Sequence, residues 1–229
     1  QACVACEPGS FCPEGASAAL PCKEGSYSSS TGLTSAGACI ETDAGRFAPT
    51  GSILQTKCSP GTVAPNANMG ACLKCEAGQY QADEGKQACV ACKSGSYCPE
   101  GASAALPCKE GTHSNSSSLT SASECTETEA GHFAPTGSTQ QTPCSPGTVA
   151  SAKGLGTCAP CAAGSFMSVS GQFVCLECPA GSVCAAQATA AVPCPGGTFG
   201  NSSGLRGFSD CKDAPPGFYA QAGSIAPTT

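Results

Sequence analysis

The cysteines constrain this chain more than any other feature. They stand at 3, 6, 12, 22, 39, 58, 72 and 75, again at 89, 92, 98, 108, 125, 144, 158 and 161, and again at 175, 178, 184, 194 and 211. Each set is displaced from the one before by 86 residues, with no insertion or deletion. The block Cys12–Gly25 returns unchanged at 98–111. Self-similarity at a fixed period marks an array of like units rather than one globular domain. The units read as 1–88, 89–174 in the same register, and a partial third at 175–229. The register also reads the ends. Gln1-Ala2-Cys3 matches Gln87-Ala88-Cys89, and Gly217–Ala220 matches Gly45–Ala48. Thr229 aligns with Lys57 and Pro143, so the next residue in register would be a counterpart of Cys58 and Cys144. Both ends are therefore expected to be internal to a longer protein.

An ordinary core is not available to such a chain. Leu, Ile, Val and Phe make up only 28 of 229 residues, and Trp is absent. That share is too small for apolar burial to offset chain entropy. Gly and Pro supply 47 residues, which disfavours long helices and long strands. The 21 cysteines are the alternative source of stability. Closing a loop of about 15 residues contributes roughly 3 kcal/mol on the chain-entropy model. Such bridges need an oxidising compartment, which places the chain outside the cytosol. The net charge of −6 and the lack of a basic run argue against nucleic acid as a partner. No stretch of 18 apolar residues exists, so no membrane span is expected in this segment. No targeting segment is visible, so it would lie upstream or have been removed.

A shorter pattern, Cys-x-x-Gly-x-(aromatic or Val), runs within each unit. Cys6–Phe11, Cys22–Tyr27, Cys58–Val63 and Cys75–Tyr80 carry it, and Asp43–Phe47 is the same pattern with a longer approach from Cys39. It predicts a tight turn through a glycine at positive φ and then a short strand. The bulky side chain two residues on would lie over a neighbouring disulfide or turn. One pairing joins each pattern cysteine to the cysteine closing its own loop: Cys6–Cys12, Cys22–Cys39, Cys58–Cys72 and Cys75–Cys89. Its counterparts are Cys92–Cys98, Cys108–Cys125, Cys144–Cys158, Cys161–Cys175, Cys178–Cys184 and Cys194–Cys211, which leaves Cys3 unpaired within the segment. A rival register begins Cys3–Cys6 and leaves Cys211 alone, but it forces bridges inside Cys-x-x-Cys, which are usually reactive. A staggered pattern, Cys3–Cys12 with Cys6–Cys22, stays open too, because spacing alone does not fix connectivity. Helical turns are expected only near Ala16–Leu20 and Ala186–Val192.

Little else carries chemistry. Cys72, Cys75, Cys89 and Cys92 resemble a zinc-ribbon quartet, repeated at 158, 161, 175 and 178. Half of the cysteines in each unit lie outside that quartet, so disulfides are favoured and no metal or cofactor is assigned. His113 takes the slot of Tyr27 and Phe199 and is expected to pack. His132 takes the slot of Arg46 and Phe218 and is expected to be exposed. Neither has a repeated partner for a triad, and the carboxylates lack paired or calcium-loop spacing. No catalytic residue is assigned. Asn115-Ser-Ser and Asn201-Ser-Ser are N-glycosylation sequons at equivalent positions, where the first unit has Ser29. The bland alternative is a solvated polar loop.

The Cys-x-x-Cys-x-x-Gly-x-Tyr-type motif with its Ser/Thr-rich loops resembles the ephrin-receptor-like cysteine-rich repeats. It is also similar to the simplest module of tumour-necrosis-factor-receptor ectodomains. The resemblance covers essentially the whole chain. It implies an extracellular architecture of the kind found in receptors, matrix proteins and the surface proteins of protists and algae, mastigoneme-type fibres among them. The departure is eight cysteines per 86 residues rather than six in about 40. The expected fold is small, disulfide-rich, irregular β: an elongated rod of tandem cysteine-rich modules with little helix and no single core. The expected role is a stiff, secreted, non-enzymatic shaft in a filament, surface coat or matrix, at the cell surface or on a flagellum or cilium. Its partners would be other copies of itself, other fibre or coat proteins, and glycans. A receptor or adhesin ectodomain binding a protein or glycan ligand is the alternative.

Overall fold

The computed structural model describes residues 4–229, and Cys3 lies outside them. The described residues form 24 strands of two residues each, joined into twelve two-stranded sheets. The only helical elements among them are the single 3-10 turns Ala36–Ala38, Ala122–Glu124 and Phe208–Asp210. The fold is thus disulfide-rich small β without a common core. The helical turns expected near Ala16–Leu20 and Ala186–Val192 do not form. Those segments are loops that run into the strands Leu20–Pro21 and Val192–Pro193. The reason is local: a residue before proline is pushed out of the helical region, and Gln187 sits at φ 62, left-handed.

Each Cys-x-x-Gly pattern folds as a β-turn feeding a hairpin. In Glu7-Pro8-Gly9-Ser10 the Ser10 N–H donates to Glu7 O at 3.2 Å, with Pro8 setting the first corner and Gly9 at φ 79 the second, as in a type II turn. The strand Ser10–Phe11 then pairs with Leu20–Pro21. Ser26–Tyr27 with Ile40–Glu41, Arg46–Phe47 with Thr56–Lys57, Thr62–Val63 with Leu73–Lys74, and Gln79–Tyr80 with Val90–Ala91 repeat the arrangement. Successive hairpins therefore start from Cys22, Thr42, Cys58, Cys75 and Cys92, and the sixth start, Cys108, is the first one advanced by 86 residues. The 86-residue period is five hairpins, each a step of 16 to 20 residues.

Burial follows the same step. The cross-strand partners Tyr27–Ile40, Val63–Leu73 and Tyr80–Val90 place an aromatic or Val opposite an aliphatic side chain. After Cys12, which is partly buried, the residue just after each first strand is buried, as in Ser28, Ala48, Ala64 and Gln81. Tyr80 packs against a cluster of Cys92, Cys98 and Ala102, so the aromatic of one hairpin covers the disulfide of the next. Val149, Cys161 and Met167 form a similar small cluster. Burial is thus divided among hairpins.

Backbone bonds tie each hairpin to its neighbour. Gly25 N–H donates to Ala48 O at 2.8 Å, Gly51 N–H to Cys22 O at 2.8 Å, and Ser28 N–H to Ser52 O at 3.1 Å. The set recurs downstream as Gly131 to Ala150, Gly171 to Cys144 and Ala150 to Gln172. The approach is close: a Cβ on Gly45, whose φ is +83, would lie 2.0 Å from Gly85 O. By contact density the described chain divides into two units, one running to Leu106 with Ser116–Glu124, the other made of Pro107–Asn115 and Cys125–Thr229.

Candidate functional site

Twenty cysteines are joined in ten disulfides. Cys6–Cys12, Cys92–Cys98 and Cys178–Cys184 each span 6 residues. Cys58–Cys72, Cys75–Cys89, Cys144–Cys158 and Cys161–Cys175 span 14. Cys22–Cys39, Cys108–Cys125 and Cys194–Cys211 span 17. In the longer bridges the first cysteine ends the preceding hairpin and the second opens the returning strand, so the bond clamps the two legs. Cys22, Cys58 and Cys75 are fully buried, whereas Cys39, Cys72 and Cys89 are partly exposed. The zinc-like quartet is dispersed: Cys72 joins Cys58, Cys75 joins Cys89, and Cys92 joins Cys98. With their sulfurs bonded to one another, these residues have no thiolate to offer a metal.

One hairpin in five lacks a bridge. Thr42 and Gln55 hold the two places that cysteines hold elsewhere, and Thr128 and Gln141 do so one period later. Their polar atoms take over the clamp. Thr42 is buried, and its Oγ1 accepts from Met69 N–H at 3.0 Å. Gln55 Oε1 accepts from Asp43 N–H at 2.8 Å while its Nε2 donates to Asp43 Oδ2 at 2.7 Å. Thr128 Oγ1 accepts from Leu155 N–H at 3.1 Å, and Gln141 Oε1 from Glu129 N–H at 2.7 Å. The sequence shows only Thr-x-x-Gly at these places, where Cys-x-x-Gly stands elsewhere.

The remaining residues of interest do not converge. His113 is half-buried opposite Thr126 in its hairpin. His132, expected to be exposed, is also half-buried, in the strand His132–Phe133 opposite Pro143. Asn115 and Asn201 are exposed on the loops of equivalent hairpins. Glu124 closes the loop before the strand Thr126–Glu127. It accepts a short hydrogen bond from the Thr120 hydroxyl, with Thr120 N–H and the Ser121 hydroxyl each at 3.3 Å. The Thr120 hydroxyl chiefly holds this carboxyl below its ordinary range. Among the described residues, none of the His, Cys, Asp and Glu side chains cluster as a metal centre would require, and no helix is long and apolar enough to cross a membrane.

Three exposed apolar side chains of the repeat 89–174 are gathered in one loop. Val169, Phe173 and Val174 are each more than half exposed. The same loop 86 residues earlier carries Asp83, Gln87 and Ala88, with a Lys86–Asp83 ion pair at 3.4 Å.

Residues 147–191 match the family described as tyrosine-protein kinase ephrin type A/B receptor-like. The match covers the hairpins of Thr148–Val149 and Ser165–Phe166 and continues through the strand Ser182–Val183. No curated protein matches the chain. The matched stretch is cysteine-rich: the bridges Cys161–Cys175 and Cys178–Cys184 lie within it, and its Cys158 is joined to Cys144 just before it.

Proposed function

We propose that this chain is a stretch of shaft in an extracellular structural protein, a stiff rod of disulfide-stapled hairpins that builds a filament, surface coat or matrix. It works mechanically and catalyses nothing. The units of duplication are 1–88, 89–174 and the partial 175–229. Its partners are further copies of itself or other fibre and coat proteins, and the cell surface, including the shaft of a flagellar hair, is a fitting location.

The observation that carries this reading is the regularity of the step. Corresponding backbone groups bond one hairpin after another to its neighbour, three hairpins in five are clamped leg to leg by a disulfide, and a fourth carries a bridge of 6 residues. A pull along such a chain meets covalent loops and short hydrogen-bond ladders in series. A discriminating ligand site needs unlike surfaces, whereas near-identical units offer regularly spaced like ones. The disulfides support an oxidising, extracytosolic setting. Imaging of the native assembly is the test. A filament or coat whose axial period is set by the 86-residue unit supports the proposal, and isolated membrane-bound monomers contradict it.

A receptor or adhesin ectodomain is the second reading. It is favoured by the family match and by the apolar loop of Val169, Phe173 and Val174, which lies inside the matched stretch and has a charged counterpart elsewhere. On that reading Phe173→Asp abolishes ligand capture by the full protein, while on the shaft reading it leaves filament period and length unchanged.

A further inference from the structure

The ten bridges follow one another along the chain without overlap, closing 6–12, 22–39, 58–72, 75–89, 92–98, 108–125, 144–158, 161–175, 178–184 and 194–211. A pull between the ends therefore crosses each loop through its disulfide, and the residues inside the loop carry no load. Only the runs between loops can lengthen. The runs 73–74, 90–91, 159–160 and 176–177 hold two residues each, and 13–21, 99–107 and 185–193 hold nine each. The runs 40–57, 126–143 and 212–229 hold 18 each, and none of them contains a cysteine.

We infer that these 18-residue runs are yield points, which let the chain lengthen under load and then recover. This extensible function deepens the reading of the chain as a shaft and rests on it. In the run 40–57 the legs Arg46–Phe47 and Thr56–Lys57 meet through two residue pairs. Gly45 N–H donates to Ala64 O at 2.8 Å and Ala48 N–H to Met69 O at 3.1 Å, which ties the run to the next hairpin. Gly51 N–H donates to Cys22 O at 2.8 Å on the preceding side. The side chains add the bonds of Thr42 to Met69 N–H and of Gln55 to Asp43. The run 126–143 is held alike, by Gly131 to Ala150 at 2.9 Å, Ala134 to Leu155 at 3.1 Å and Gly137 to Cys108 at 2.8 Å. Every one of these is a hydrogen bond, and water takes the place of each lost partner, so the net cost per bond is modest. The run 212–229 has Ala214 and Pro227 where the others have threonine and glutamine, and its legs meet at the single pair Tyr219–Thr228. It therefore yields first. Recovery needs no chemistry. The loops 22–39 and 58–72 stay closed on either side of the open run 40–57, and a β-hairpin reforms in roughly 1–10 μs. An extended run of 18 residues spans at most about 60 Å, and one of nine about half of that.

Single-molecule force spectroscopy of the full oxidised chain, held by handles at its two ends, tests this. The expected trace contains three long steps of equal contour, each at most about 60 Å, and shorter steps of about half that length from the nine-residue runs. The long step of 212–229 is expected at the lowest force, and relaxing and pulling again should restore all of them. Thr42→Cys with Gln55→Cys, shown by non-reducing mass mapping to have closed its bridge, should remove one long step and leave two. Thr128→Cys with Gln141→Cys should remove a different one. A trace without long steps, long steps that do not return on the second pull, or three long steps surviving in either bridged variant would overturn the inference. The steps are read on single chains and the shaft on the native assembly, so each can fail without the other.

Discussion

Glycine is the residue on which this fold depends most, and not all glycines contribute alike. Gly45 and Gly32 both have positive φ, at +83 and +72, but a Cβ on Gly45 would strike Gly85 O at 2.0 Å while one on Gly32 meets nothing within 4 Å. Gly32→Ala should therefore cost only the left-handed backbone penalty, about 1–2 kcal/mol. Gly45→Ala adds a backbone collision and should cost about 3–5 kcal/mol, enough to release the hairpin of Arg46–Phe47. Amide exchange at Cys58 and Ala64, resolved by residue, would separate the two. A second residue-scale effect is set by pH. Glu124 is ionised more readily in the folded chain than in the unfolded, because the Thr120 hydroxyl donates to it. Its contribution to loop order is therefore complete at and above the ordinary glutamate range. It is lost as pH falls through the lower, folded value. An NMR titration should show the Thr120 amide and the Glu124 carboxyl shifting together, with a midpoint below the ordinary glutamate range. A midpoint within or above the ordinary glutamate range would contradict this.

At the scale of the hairpin, the weak element is the one without a bridge. Opening the hairpin of Arg46–Phe47 and Thr56–Lys57 breaks hydrogen bonds only, whereas opening Thr62–Val63 and Leu73–Lys74 leaves Cys58–Cys72 intact. Amides of residues 46–57 should exchange faster than those of 62–74, and the contrast should return at 132–143. Replacing Thr42 and Gln55 together by cysteine should close an eleventh bridge across a 13-residue separation and stabilise that hairpin by about 3 kcal/mol. Thr42→Val alone should cost about 1–3 kcal/mol, because Met69 N–H loses its acceptor beneath the surface. Non-reducing mass mapping and residue-level exchange read both. This is also the element at which the sequence was only half legible. The Cys-x-x-Gly turns and short strands could be read directly, because glycine and cysteine each have few alternatives there. Thr42 could not be recognised as a stand-in, because a threonine reveals its partner only when the fold brings Met69 to it. The segments near Ala16 and Ala186 are alanine-rich, but each runs into a proline, at 21 and 193, that closes a strand instead of a helical turn. Spacing alone left three cysteine registers open, since a local and a staggered pairing share the same period.

At the scale of the whole molecule, stability is distributed among many small clusters. The largest fully buried side chains are cysteines, with Thr42 and Thr128 in the two unbridged places. No buried side-chain polar atom among the described residues lacks a hydrogen-bond partner. A chain built in this way has no reserve of apolar burial to fall back on once its bridges are cut. The shaft reading depends on the same property, since a fibre must keep its local form wherever it is loaded. Differential scanning calorimetry of the intact chain, beside the same chain fully reduced and alkylated, tests this most directly. The intact chain should unfold only at high temperature, and the reduced chain should show no cooperative transition and no protected amides. A reduced chain that still melts cooperatively would contradict the account, because it would place the stability in a core rather than in the disulfides.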